Sequence, residues 1–139
     1  MTDTHSAKVR SYNMSQIKSK DTLPELLVRK FLFSQGLRYR LHDKNLPGKP
    51  DIVFPKLKTV VFIHGCFWHG HKNCKYFSIP KTRTIWWTDK ITSNSNRDKL
   101  NQRKLKKEGW RVLVVFECKL KPKTREKSLN RLFEKLTDV

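Results

Sequence analysis

Two short runs constrain the fold of this chain more than any other feature: Thr59-Val60-Val61-Phe62-Ile63 and Arg111-Val112-Leu113-Val114-Val115-Phe116. Both lack polar alternation, the pattern of strands buried on both faces. Such strands need cover above and below, so helices must lie on each side of the sheet that holds them. A shorter run, Ile52-Val53-Phe54, stops at Pro55, and Leu37, Tyr39 and Leu41 alternate with basic residues as in a half-buried strand. Lys44 to Pro50 carries Pro, Gly and Pro and reads as a loop. Asp21 or Thr22 can cap a helix with Pro24 and Glu25 in its first turn. Leu23, Leu26, Leu27 and Phe31 mark its apolar face as far as Gly36. Residues 89–108 read as a charged helix ending at Gly109, and Leu129, Leu132, Phe133 and Leu136 lie at the i, i+3, i+4, i+7 spacing of a last helix. The expectation is an α/β (mixed α+β) fold, a small central mixed sheet flanked by helices, in a single domain spanning residues 1–139. Residues 1–20 form a polar, basic arm, with Met14 and Ile17 three apart on a short helix.

Lys and Arg total 31 against 12 Asp and Glu, a formal charge of +19. On 139 residues that charge repels itself in the compact state and calls for a polyanion, of which nucleic acid is the commonest. An aromatic content of 11% excludes a disordered basic tail. No apolar run is long enough to span a membrane, and no basic helix shows a wide apolar face, so no membrane role is expected. The start, MTDTHSAKVRS, lacks the apolar core of a signal peptide, and the chain is expected to be soluble and intracellular. Charge does not separate an enzyme from a passive binder, so the acids and histidines must do so.

The most informative stretch is His64-Gly65-Cys66-Phe67-Trp68-His69-Gly70-His71-Lys72-Asn73-Cys74, which holds three of the five histidines and two of the three cysteines. The third cysteine, Cys118, follows the last apolar strand. An odd cysteine count in a reduced compartment is a poor disulfide framework. Cys66, Cys74, Cys118 and one histidine complete a closed tetrahedral Cys₃His zinc site, and His71, between two of the cysteines, is the natural fourth ligand. Such a site is structural, because no position stays open to water.

Asp51 opens one apolar run and His64 ends the next, so a short turn between the two strands brings them together. An aspartate at a strand edge beside a backbone carbonyl is a hard-oxygen seat for Mg²⁺. His69, past the strand end, is placed to act as general base toward water at neutral pH. The plain alternative is that Asp51 caps or pairs with a lysine. Phe67, Trp68, Trp86 and Trp87 lie in basic surroundings and either pack a core or stack on bases.

Taken together, these residues resemble the very short patch repair endonucleases of bacteria. The resemblance rests on Asn13-Met14, Asp21-Thr22, Leu46-Pro47-Gly48 through Asp51, and Phe62-x-His64-Gly65-Cys66-Phe67-Trp68-His69. It continues through Thr82-Arg83-Thr84, Lys90-Ile91-x-x-Asn94-x-x-Arg97-Asp98, Gly109-Trp110-Arg111-Val112-Leu113 and Glu117-Cys118. It implies a fold like that of type II restriction endonucleases. It also implies a Mg²⁺-dependent nick 5′ to the thymine of a T:G mismatch left by deamination of 5-methylcytosine. Residue by residue, the resemblance implies Asp51 as metal carboxylate, His69 as general base, His64 in the active site, and Glu25 near the metal through water. Ile63 stands where threonine is common in the family, and the resemblance then implies only its backbone carbonyl as a ligand. Cys66, His71, Cys74 and Cys118 would hold Zn²⁺, although His71-x-x-Cys74 is one residue longer than the family's spacing. Phe67, Trp68 and Trp87 would intercalate from the major groove, and Met14 and Ile17 would approach from the minor groove. Asp98 either orients a histidine or caps a helix. The partner implied is double-stranded DNA with a T:G mismatch, met by a monomer in the cytoplasm and at the nucleoid, with transient contact with mismatch-repair proteins. Two other readings stand beside this one: a zinc-stabilised nucleic-acid binder without catalysis, and a restriction-type nuclease acting on paired DNA.

Overall fold

A computed structural model of the chain describes residues 22–138, so Met14, Ile17 and Asp21 lie outside the described residues. Among the described residues, three helices, α1 (Leu23–Ser34), α2 (Thr84–Lys107) and α3 (Arg125–Thr137), flank four strands, β1 (Arg40–Leu41), β2 (Ile52–Phe54), β3 (Thr59–His64) and β4 (Arg111–Phe116). The sheet runs in the order β1-β2-β3-β4. β1 and β2 pair antiparallel, β2 and β3 pair antiparallel, and β3 and β4 pair in parallel, with His64 opposite Phe116. The mixed, helix-flanked sheet expected from the apolar runs is therefore present.

Alternation along β3 divides the core into two layers. Val61 and Ile63 pack with Val28 and Leu32 of α1 and with Leu129, Leu132 and Leu136 of α3. Val60 and Phe62 pack on the opposite face with Leu105 of α2. α1 and α2 end alike. Gly36 and Gly109 adopt left-handed backbones at φ +88° and +90°, with reversed hydrogen bonds Leu37 N–H to Leu32 and Trp110 N–H to Leu105. These are Schellman motifs, and each turns the chain directly toward a strand.

The structure departs from four sequence expectations. β1 covers only Arg40–Leu41, both exposed, because Leu37 closes the α1 cap and packs into the core below it. β4 is half-buried rather than buried, since it is an edge strand with β3 on one side only. α1 buries Glu25, Val28 and Leu32, whereas Leu23 stays 68% exposed at the rim of a cleft. α2 begins at Thr84, five residues before the charged stretch that suggested it. Thr22 does occupy the N-cap position of α1, but its side chain makes no capping bond. Among the described residues, no helix is long and apolar enough to cross a membrane.

Candidate active site and metal centre

The antiparallel β2/β3 hairpin sets the start of β2 beside the end of β3, and the parallel β3/β4 pair brings the end of β4 to the same edge. A cleft of about 1250 Å³ opens there, lined among others by Glu25, His42, Asp51, His64, His69 and Asp98. Asp51 is fixed by its own strand pairing: the backbone N–H of Ile63 donates to its Oδ2 at 2.7 Å. In an extended strand the N–H and C=O of one residue point to the same side, so the Ile63 carbonyl faces the β2 edge as well. Burial pushes the Asp51 carboxyl up to about 6, and the neighbouring Glu25 carboxylate adds to the rise against the lowering effect of the Ile63 bond. A carboxylate that its surroundings disfavour as an anion, beside a second, buried carboxylate, is what a bound cation relieves. The residues present fit a divalent metal seat.

His64 and His69 stack face to face with ring centroids 3.8 Å apart and planes 1° from parallel. Burial, and then the adjacent His69, lower His64 to about 4, so it is neutral at pH 7. His69 Nδ1 lies 2.6 Å from Asp98 Oδ2. α2 thus supplies the group that orients a histidine, and the choice left open for Asp98 between orientation and helix capping falls to orientation. With Nδ1–H donated to Asp98, the lone pair of His69 rests on Nε2.

The Cys66, His71, Cys74 and Cys118 donor atoms all lie within 4.8 Å of one another. Cys118 Sγ is 3.5 Å from His71 Nδ1. A tetrahedral ion with bonds of roughly 2.3 Å to sulfur and 2.0 Å to nitrogen has an S···N edge of about 3.5 Å, so the four residues fit a closed metal site. Burial pushes the Cys66 thiol up to about 12 in the metal-free protein. His71 stacks on Phe116 at 3.8 Å, which fixes its ring. Of the histidines around the longer loop, His71 alone joins this cluster. Gly70 allows the loop its turn: its φ is +59°, and a Cβ there would meet Ile91 Cγ2 of α2 at 2.8 Å.

Phe67, Trp68 and Trp87 form a triad with centroids 5.3 to 5.8 Å apart, next to the histidines. All three are half-buried, and Asn94 of α2 donates to the Trp68 carbonyl at 3.0 Å, holding the loop against the helix. Trp86 lies edge-on to Trp87 and is 46% exposed, with Arg83 over its ring. Nothing in the sequence singles out Arg29 and His42, yet Arg29 Nη2 bridges Glu25 Oε2 at 2.9 Å and His42 Nε2 at 2.8 Å at the mouth of the metal seat.

Comparisons with known proteins show the family. A family model described as DNA mismatch endonuclease Vsr matches residues 2–75. The type II nicking enzyme V.NmeAIP of Neisseria meningitidis is 55% identical over 141 residues, spanning 100% of this chain and 99% of the relative. The type II nicking enzyme V.XorIIP of Xanthomonas oryzae pv. oryzae is 52% identical over 120 residues, 86% of this chain and 88% of the relative. The DNA mismatch endonuclease Vsr of Escherichia coli is 43% identical over 138 residues, 99% of this chain and 81% of the relative. With its candidate metal centres and its oriented histidine at one sheet edge, the chain belongs to the Vsr family of DNA mismatch endonucleases.

Proposed function

We propose that this endonuclease nicks one strand of duplex DNA 5′ to the thymine of a T:G mismatch, with Mg²⁺ as catalytic ion and Zn²⁺ in the cysteine cluster. The observation that carries the reading is the 2.6 Å contact between His69 and Asp98, set in the same cleft as the disfavoured Asp51 carboxylate. Asp51 and the Ile63 carbonyl would hold the ion directly and Glu25 through water. When bound, it neutralises charge on the scissile phosphate and stabilises the leaving 3′ oxygen.

The chain's own groups account for the proton. Asp98 keeps the Nδ1–H of His69 pointed inward, which leaves Nε2 to take a proton from the attacking water. His64, neutral and stacked on His69, holds the ring plane without competing for that proton. The Phe67, Trp68 and Trp87 triad supplies wedges for the base stack. A T:G wobble pair stacks less well than T:A, so separating it costs less, and mismatch preference follows from deformation. Met14 and Ile17, outside the described residues, are assigned to the minor-groove side. The basic surface adds affinity and steering without base information. One nick needs one site, so a monomeric single domain, with residues 1–20 as a DNA-contacting arm, suffices.

A labelled duplex with one T:G pair, run beside its T:A control with and without Mg²⁺ in several flanking contexts, tests the reading. A Mg²⁺-dependent nick beside the thymine, absent from the control, is expected. Salt-sensitive binding with no cut in any context would overturn the proposal.

A further inference from the structure

Glu25, His42 and Asp51 each place one donor atom within 4.8 Å of the other two. Two carboxylates and an imidazole suit Zn²⁺, Co²⁺ or Ni²⁺ better than Mg²⁺, which takes oxygen ligands and keeps most of its water. Left open, that donor set would hand the catalytic seat to the wrong metal. Arg29 stands in the way. Its Nη2 donates to Glu25 Oε2 at 2.9 Å and lies 2.8 Å from His42 Nε2. Arginine has no acceptor, so His42 Nε2 accepts this bond and its lone pair is engaged. The same ring nitrogen sits 3.5 Å from Glu25 Oε2, a separation that is then not a hydrogen bond.

The bridge is built into the fold from three directions. Arg29 lies one turn along α1 from Glu25, its side chain is 11% exposed, and its carbonyl accepts the Tyr39 hydroxyl at 3.0 Å. His42 is held in a left-handed backbone at φ +48°, and its N–H donates to the Asp51 carbonyl at 3.2 Å. The ring is therefore aimed at the seat by the same ladder that places Asp51. We propose that Arg29 is a metal-selectivity residue: by holding Glu25 and capping His42 Nε2, it leaves the seat only oxygen ligands and so reserves it for Mg²⁺. This rests on the reading of Asp51 and Glu25 as the catalytic metal seat. A guanidinium suits the task because its charge is permanent and its donors cannot themselves ligate.

The test uses full-length protein with the cysteine cluster loaded with zinc, titrated without DNA with Co²⁺ and, separately, with Mg²⁺ by calorimetry, while visible absorption follows the cobalt. Thiolate-to-cobalt charge transfer would reveal exchange into the cluster, so the second site is read cleanly. Arg29→Met is expected to raise the Co²⁺/Mg²⁺ affinity ratio at least about tenfold, the scale on which groups bonded to metal ligands act. Adding His42→Gln to Arg29→Met should return the ratio to the wild-type value. An unchanged ratio in Arg29→Met, or a gain that survives His42→Gln, overturns the proposal. Arg29→Gln, polar and too short to bridge both partners, serves if the methionine variant does not fold, with the same expectations. Asp51→Asn separates this idea from the one beneath it. Normal Mg²⁺-dependent nicking by Asp51→Asn would mean the seat itself is misassigned. Loss of nicking there together with an unchanged ratio in Arg29→Met would leave the seat standing and remove the role of Arg29.

Discussion

Asp51 is a residue whose ionised form the fold disfavours and the proposed metal seat requires. Its carboxyl is raised to about 6 from 3.8, so the contribution of this group to stability falls as the pH climbs between those values and stays lost above them. Asp51→Asn is expected to abolish nicking, keep DNA binding and raise the Tm of the Mg²⁺-free protein at pH 7 by roughly 3–6 °C in a thermal melt. His64, lowered to about 4, acts in the opposite sense, since its contribution is lost as the pH falls from 6.5 toward 4. Asp51→Asn leaves that slope unopposed, so the variant's Tm should drop more steeply than wild type between pH 6 and 4.5. Asp98→Asn keeps the shape of the His69 contact but not its charge or its hold on the tautomer. The nicking rate should fall by about 10²- to 10⁴-fold in single-turnover assays, with the Tm little changed. The cleft positions of Asp51, His64 and His69 were legible in the sequence from strand-end spacing and the family resemblance together, since spacing alone did not separate a metal carboxylate from one that pairs with a lysine. The role of Asp98 was not, because it is 29 residues from its partner and a helix-borne aspartate has several ordinary uses.

At the scale of elements, the loop after β3 does the joining. From Gly65 to Cys74 it adds His69 to the cleft, His71 and two cysteines to the cysteine–histidine cluster and Phe67 and Trp68 to the aromatic triad, and its geometry depends on Gly70 passing close to α2. Closing the cluster on Cys118 ties this loop to the end of β4, the strand parallel to β3. Stripping the cluster with a chelator, or Cys74→Ser, should therefore lower Tm and nicking together while far-UV circular dichroism stays near native, since both core layers lie away from the loop. Burial pushes Cys66 up to about 12 and raises Cys118, so these two thiols hold their protons at pH 7, whereas Cys74 is lowered. Zinc binding should release up to about three protons, read by calorimetry in buffers of different ionisation enthalpy, and should weaken as the pH falls. The helix ends were readable from Gly36 and Gly109, because a left-handed cap needs glycine. The face of α1 was not, because four leucines and phenylalanines surround the helix and only packing against α3 selects Val28 and Leu32.

For the molecule as a whole, a formal charge of +19 sits around a cleft whose charged lining includes the carboxylates of Glu25, Asp51, Asp98 and Glu117. The basic exterior suits a polyanion, and the carboxylates of the cleft are where the proposed cation would sit. Duplex affinity should accordingly fall by roughly 10³-fold or more between 50 and 200 mM salt in a fluorescence titration, to a similar degree for mismatched and paired DNA. On the proposed reading, a T:G preference should survive that change, because it would come from unstacking rather than from charge.

Residue type and local spacing by themselves determined the mixed sheet, its helical cover, the gathering of the cysteines and the placing of Asp51 and His64 on one cleft. These follow from periodicity, turn residues and ligand chemistry, which act over short stretches of chain. The tertiary structure decided the partnerships that cross the sheet and the helices: Asp98 behind His69, and Arg29 between Glu25 and His42. A side chain that can donate or accept has many admissible partners in sequence, and only the packing of the two layers leaves it one.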